Sequence, residues 1–310
     1  MADIAELILD AGRAGIELAL FVLLPVMIVM LTIMRLLEYQ GLLGWVVRGA
    51  SPVLRPLGIP GLGVFAMIQI LLVSFAAPVA TLAMMDRGGI SARHIAATLA
   101  MVLTLAQANV AFPMAAVGLN VWAVLGISLL CSLVAAALTF HLFGRNLSNE
   151  EASTRDDQDP DDAPAGLMAV INRAGRDAFE IAVGAIPMLV LALVVVYVFR
   201  ALGVIGLLEG ALAPLFEGLG LPSAALLPIV SKYIAGGTAM MGVAVDYINQ
   251  GLISTAEFNR LAGFLIHPFD LAGIAILIAA GRRVASVLKP ALLGAVVGIL
   301  LRAVLHLVLF

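Results

Sequence analysis

Ser51-Pro52-Val53-Leu54-Arg55-Pro56-Leu57-Gly58-Ile59-Pro60 returns 162 residues later as Ala213-Pro214-Leu215-Phe216-Glu217-Gly218-Leu219-Gly220-Leu221-Pro222. Self-similarity at a fixed offset marks a chain built from repeated units and is settled before any fold is named. Outward from this match the order holds with small gaps: Arg13 and Glu17 pair with Arg176 and Glu180, Pro25 with Pro187, Arg35 with Arg200, Gly41 with Gly206 and Gly89 with Gly251, at offsets of 162 to 165. Between the copies, Asn146 to Gly166 is polar, acidic and without apolar periodicity, which reads as a disordered, water-exposed linker. The chain therefore divides into a first repeat over 1–145, a linker over 146–175 and a second repeat over 176–310.

Each copy is too apolar to be a soluble unit. Of 310 residues 63% are hydrophobic and 12% charged, against roughly one-quarter charged in a soluble domain. Residues 18–34, 56–85, 94–144 and 181–199 contain no Lys, Arg, Asp or Glu, and about 20 apolar residues suffice to cross the hydrocarbon core. An ordinary soluble enzyme is excluded. The N-terminus, Met-Ala-Asp-Ile-Ala-Glu, lacks the basic region of a secretory signal, so the first apolar segment is expected to be retained as a helix. A net charge of −3 gives no argument for nucleic acid. The lone Cys131 lies in an apolar stretch, allows no disulfide within the chain, and reads as a packed core cysteine.

The order of elements is the same in both copies. A long apolar helix (16–37; 179–200) precedes an amphipathic, Pro- and Gly-punctuated arm (42–58; 204–220) that suits the membrane interface. A stretch of under 30 residues broken by small residues follows, with Ser74-Phe75-Ala76-Ala77-Pro78 and Ile234-Ala235-Gly236-Gly237-Thr238 in its middle. Then come a longer helix with an internal polar and proline break (92–118; 254–281) and a closing apolar helix (121–143; 287–309). If the small-residue stretch crosses the bilayer, each copy has four spans, both point the same way and the basic residues scatter. If it turns back as a hairpin, each copy has three spans and the second is inverted. Arg35, Arg48, Arg55, Arg87, Arg93, Arg145, Arg155, Arg173, Arg176, Arg282, Arg283 and Lys289 then share one side. Arg13, Arg200, Arg260 and, near its helix end, Arg302 fall on the other. That bias selects the hairpin arrangement, with the linker cytoplasmic and both termini outside. The fold expected is an all-α integral membrane protein of two inverted repeats, each with three transmembrane helices, an interfacial helix and a re-entrant helical hairpin.

Inverted repeats that each hold broken helices point to a substrate site at the membrane midplane, where half-helix ends offer free N–H and C=O groups. The polar residues at those breaks are Ser74 in the first hairpin and Gln107 and Asn109 in the first broken helix, where an unwound segment around Pro113 would relax the regular helix geometry. In the second copy they are Ser231, Lys232, Gly236, Gly237 and Thr238 in the hairpin and His267 and Asp270 in the broken helix. Asn109 and Asp270 hold matching places in the repeat. A carboxylate inside a membrane segment costs several kcal/mol unless it faces a partner or a cavity. Asp270 therefore reads as a substrate or proton site, as the ion-pair partner of Lys232, or as both. His267 is suited to titrate near neutral pH and couple proton movement, or to bond backbone freed by the adjacent proline. Gln107 and Asn109 do not share a regular helix face, and bonds between helices are their alternative role. The small residues of the hairpins also permit close helix packing. Trp45 and Trp122 suit interfacial anchoring, and His94 and His141 suit a solvated or snorkelling role at the cytoplasmic edge.

Beyond these residues, the chain resembles the bacterial membrane proteins that carry the nucleoside-recognition, or Gate, domain, which include spore maturation proteins A and B. The likeness covers both halves. Ser74-Phe75-Ala76-Ala77-Pro78-Val79-Ala80-Thr81-Leu82-Ala83-Met84 is also similar to the hairpin of the ferrous-iron transporter's membrane domain, with alanine in place of its usual cysteine. Ser231-Lys232-Tyr233-Ile234-Ala235-Gly236-Gly237-Thr238-Ala239-Met240 resembles the small-residue motif of spore maturation protein B. The module order is similar to that of concentrative nucleoside transporters, which bind substrate between hairpin tips and unwound helices.

The resemblance implies a multi-pass protein of the bacterial inner membrane and a secondary transporter of a small polar, nucleoside-like solute. On this reading the ten residues named above bind substrate, H+ or Na+ is the candidate coupling ion, and no other cofactor and no bound metal are expected. The partners are the lipid bilayer, the solute and a second copy of the chain in a homo-oligomer. A non-transporting membrane scaffold or signalling protein, and a divalent-metal permease, are the rival readings. With no phosphate-binding loop, paired catalytic acids or metal-ligand helix motif, the chain reads as no enzyme.

Overall fold

The computed structural model describes residues 4–150, apart from 26–27, 30–31, 33–35, 37–39 and 41, and residues 166–310, apart from 205–206, 208–209, 212–213, 215–217 and 219. All regular structure among them is helical. Most of the second arm (204–220) and the acidic heart of the linker (151–165) lie outside the described residues, as do Arg35 and Arg155.

Helix α1 (Ile4–Glu17) runs into a π-helical stretch, Leu18–Leu23. The arm, α2 (Leu42–Leu54), closes in a 3-10 turn and meets α3 (Gly61–Leu72) at 105°. Helix α4 (Pro78–Arg87) completes the first hairpin. Its break falls on Ser74–Ala77, because Pro78 can start a helix but leaves no N–H with which to continue one. Helices α5 (Ala92–Thr104) and α6 (Ala108–Met114) form the first broken helix, and α7 (Val121–Leu138) follows.

In the second half, α8 (Leu167–Ala201) packs along α1. Helix α8 begins inside the segment assigned to the linker: Val170, Ala174, Ala178 and Ala182, four apart, bury one face of it. The charges Arg173, Arg176 and Asp177 on its other faces concealed that stripe in the sequence. Helices α9 (Leu226–Ala235) and α10 (Gly237–Asn249) make the second hairpin. Their turn is Gly236, whose φ of +88° favours glycine. The second broken helix comprises α11 (Thr255–Leu265) and α12 (Leu271–Ile278), and a short α13 (Arg282–Ser286) leads into α14 (Leu288–Leu309).

Three stretches are long and apolar enough to cross a membrane among the described residues: 92–117, 121–143 and 288–309, with the bent pair 45–57 and 61–72 as a fourth. The first is 89% buried and the other two 39%. The broken helix is thus enclosed by protein, which is where irregular backbone at membrane depth can be satisfied. Small residues let α14 lie close across its neighbours. A Cβ at Gly298 would approach Ala135 Cβ and Thr104 Cγ2 to 2.8 Å, and one at Gly263 of α11 would meet the Arg302 carbonyl at 2.7 Å. Two apolar clusters fill the interior, one around Leu82, Ile95, Leu99 and Leu103, the other around Val110, Met114, Phe258 and Leu265.

Polar stitches tie the halves together. Asn259 accepts from the Asn120 N–H (2.8 Å) and donates to the carbonyls of Gly118 (3.0 Å) and Thr255 (2.9 Å). The Arg283 N–H donates to Asp86 Oδ1 (2.8 Å), while its guanidinium donates to the carbonyls of Asp86 (2.9 Å) and Ile90 (2.5 Å). Two expectations are corrected. His94 is buried rather than solvated: its ring bonds Ser91 Oγ (2.7 Å) and packs on Phe140, because Ser91 caps α5 and draws the first turn inward. Arg302 is fully buried rather than near an aqueous edge.

Candidate functional site

A hydrogen bond joins the first hairpin to the first broken helix. The helix stops at Thr104, runs extended through Leu105 and Gln107, and restarts at Ala108. The unwound segment thus lies at 105–107, while Pro113 sits inside α6. A proline just past the first turn of a helix removes only one bond, so the chain can hold it there. Asn109, in the first turn of α6, accepts from the Phe75 N–H in the hairpin break (3.3 Å). Ser74, beside it, is buried and its hydroxyl has no hydrogen-bond partner.

Gln107 points elsewhere. A Cβ on Gly237 would strike Gln107 Nε2, so this amide lies against the tip of the second hairpin. Gln107 is buried and its Nε2 has no partner. Gln107 is the N-cap of α6 and Asn109 lies in its first turn, where residues two apart do not share a face, so the two are sent to different hairpins.

In the second half, Asp270 does two things. As the N-cap of α12 it accepts the Gly273 N–H with Oδ1 (2.7 Å), and with Oδ2 it accepts from the Lys232 ammonium. Lys232 is fully buried and Asp270 nearly so. Gly236 lies next to this carboxylate: a Cβ there would be 3.6 Å from Asp270 Oδ1. His267 is buried, accepts the Phe269 N–H with Nδ1 (3.2 Å) and faces the Tyr233 ring at 5.8 Å. With Nδ1 accepting, the proton sits on Nε2, which has no partner.

Lys232, Gly236, Gly237, Gln107, His267 and Asp270 therefore form one neighbourhood, and Ser74 with Asn109 form a second at the other hairpin. Ser231 is half-buried one position before Lys232. Thr238 lies in the first turn of α10, and its side chain is outside the described residues. Among the described residues no three His, Cys, Asp or Glu side chains gather as metal ligands.

Sequence reasoning missed Arg302. From α14 its guanidinium donates to the carbonyl of Thr104, the last residue of α5, and of Ile266, the C-cap of α11 (2.9 Å to the latter). One side chain thus holds the C-terminal ends of both broken helices. The available signal was an arginine inside a 22-residue apolar helix whose neighbours on one face, Gly294, Ala295, Gly298 and Ala303, are small and buried.

Comparison with known proteins places this arrangement. Residues 20–140, from the π-helical stretch after α1 through α7, match the family model of the Gate domain, described as nucleoside recognition. Over those residues the chain is similar to the Gate domain. Spore maturation protein B of Bacillus subtilis (strain 168) is 36% identical to it over 74 residues, which are 24% of this chain and 41% of that protein. The chain thus aligns with less than half of the length of this curated relative.

The likeness to solved structures is one of fold. A variant of CNTnw in an outward-facing state superposes with a TM-score of 0.65 at 17% identity, over 98% of this chain and 83% of that one. CNTnw in an inward-facing, substrate-bound state gives 0.62 at 16% identity, over 98% and 83%. Among its described residues the chain is thus all-helical, with stretches apolar enough for a multi-pass membrane protein and a fold similar to that of CNTnw.

Proposed function

We propose that this chain is a secondary transporter of a small, polar, nucleoside-like solute, and not an enzyme. The solute binds between the two hairpin breaks and the two broken helices. On this reading 1–145 and 176–310 are inverted repeats, 146–175 is a cytoplasmic linker, and both termini face outward across a bacterial inner membrane. One observation carries the proposal: Ser74, Gln107 and His267 present buried polar atoms without a hydrogen-bond partner, all at helix breaks. A buried unpaired polar group costs ~1–3 kcal/mol, and a ligand's donors and acceptors would offset that cost. A ribose and base, rich in hydroxyl, amide and ring nitrogen, match such a set. Proton coupling through Asp270 and His267 belongs to the same reading.

The test is binding and counterflow of a ribonucleoside panel by the purified full chain in proteoliposomes. Gln107→Ala and His267→Ala are expected to weaken binding at least tenfold while leaving the melting temperature near wild type. Saturable counterflow that ignores both substitutions refutes the site. If no polar solute binds or exchanges, the transporter reading falls, and the partial match to spore maturation protein B favours a non-transporting membrane component.

A further inference from the structure

The last carbonyls of an α-helix have no partner within it and carry about half a negative charge per helix end. In secondary transporters with broken helices, such ends hold the coupling cation. Here the ends of α5 and α11 converge, and what lies between them is a side chain: Arg302 reaches both, through Thr104 and Ile266. Two ends at about −0.5 each balance one guanidinium. The only buried carboxylate among the described residues, Asp270, is taken by the only buried lysine, Lys232. The interior is therefore close to neutral as built, and a metal cation added at the same ends would leave one positive charge uncompensated in low dielectric. Arginine also fits the geometry, since its planar fork meets two carbonyls from different helices at once and stays charged when buried.

We propose that Arg302 is a tethered cation: its guanidinium fills the place at the two half-helix ends where a mobile alkali cation would bind, so the protein holds none there. The consequence for coupling rests on the transporter reading; the tethered charge itself does not. If coupling is to an ion at all, this leaves the proton for the Asp270 and His267 region and removes sodium from the half-helix ends. The side chain also links the moving parts, because neither broken helix can shift against α14 without giving up a charge-assisted bond.

The experiment uses the full chain in detergent, followed by thermal unfolding, with Arg302→Lys, Arg302→Met and Arg302→Ala. Arg302→Met keeps the length without charge and is expected to lose melting temperature, while Arg302→Lys keeps most of it. In Arg302→Ala, ~10 mM guanidinium is expected to restore at least half of the lost melting temperature by binding the vacated place, and urea at the same concentration to restore none. Wild-type stability in Arg302→Met, or rescue by urea as well as by guanidinium or by neither, overturns the proposal. If Arg302→Ala does not fold, the comparison decides alone: equal behaviour of Arg302→Lys and Arg302→Met overturns it. In proteoliposomes, wild-type uptake is expected to survive replacement of sodium by choline, and a sodium requirement refutes the consequence for coupling. Absence of any uptake together with guanidinium-specific rescue removes the transporter reading and leaves the tethered cation standing.

Discussion

Breaking the Lys232–Asp270 pair tests the geometry most directly, because the two residues come from different elements and both are buried. Removing one partner of a buried ion pair leaves an uncompensated charge and costs ~3–5 kcal/mol. Asp270 also caps α12 through Gly273, and asparagine caps as well as aspartate does. Asp270→Asn therefore isolates the charge, while Asp270→Ala adds the lost cap, ~1 kcal/mol more. Lys232→Met leaves the carboxylate alone and is expected to match Asp270→Asn. The double variant Lys232→Met, Asp270→Asn buries no charge, and replacement of a whole pair by neutral groups is often close to neutral. Thermal unfolding of the four proteins in one detergent gives the cycle. The double variant is expected to be more stable than either single, within ~2 kcal/mol of wild type. Costs that simply add in the double variant would falsify the pairing as the main work of these two residues.

Four further expectations follow from single contacts. Gly237→Ala drives a Cβ into Gln107 Nε2, the far end of a flexible side chain, so stability should hardly change while solute binding falls at least tenfold; titration of binding checks it. Gly263→Ala meets the backbone of Arg302 and Ala303, which cannot swing away, and is expected to cost ~1–3 kcal/mol in thermal unfolding. Asn259→Ala strands the Asn120 N–H and the Gly118 carbonyl of the other half, at ~1–3 kcal/mol by the same measurement. Glu257 at the start of α11 is held below its ordinary carboxylate range by the N–H and hydroxyl of Ser254. Its contribution is therefore complete above the ordinary value and lost as pH falls through the lowered one. Ser254→Ala should flatten that acid-side loss, and an unchanged pH profile would count against the capping box.

Much of the fold was legible because its signals are local. Charge-free runs gave the apolar helices, and Pro78 and Gly236 gave the hairpin breaks. The ten candidate residues were found by a rule equally local, a polar side chain at a break, and most of them do lie at breaks. The stripe of α8 that begins at Val170 was less visible because charged neighbours interrupt it.

Partnership is a different matter. Whether Asp270 met Lys232 or stood free, and whether Gln107 faced its own hairpin or the other, depended on which helices cross, and sequence spacing carries no such information. Lys232 and Asp270 are 38 residues apart, and Arg302 lies 198 residues from Thr104 and 36 from Ile266. An arginine a few residues from the end of an apolar helix is placed by sequence at the water's edge, since its long stem can snorkel there. Only the packing of Gly263 and Gly298 against α14 and its neighbours brings two half-helix ends within reach of one guanidinium, and there their carbonyl dipoles hold the charge that water would otherwise have held.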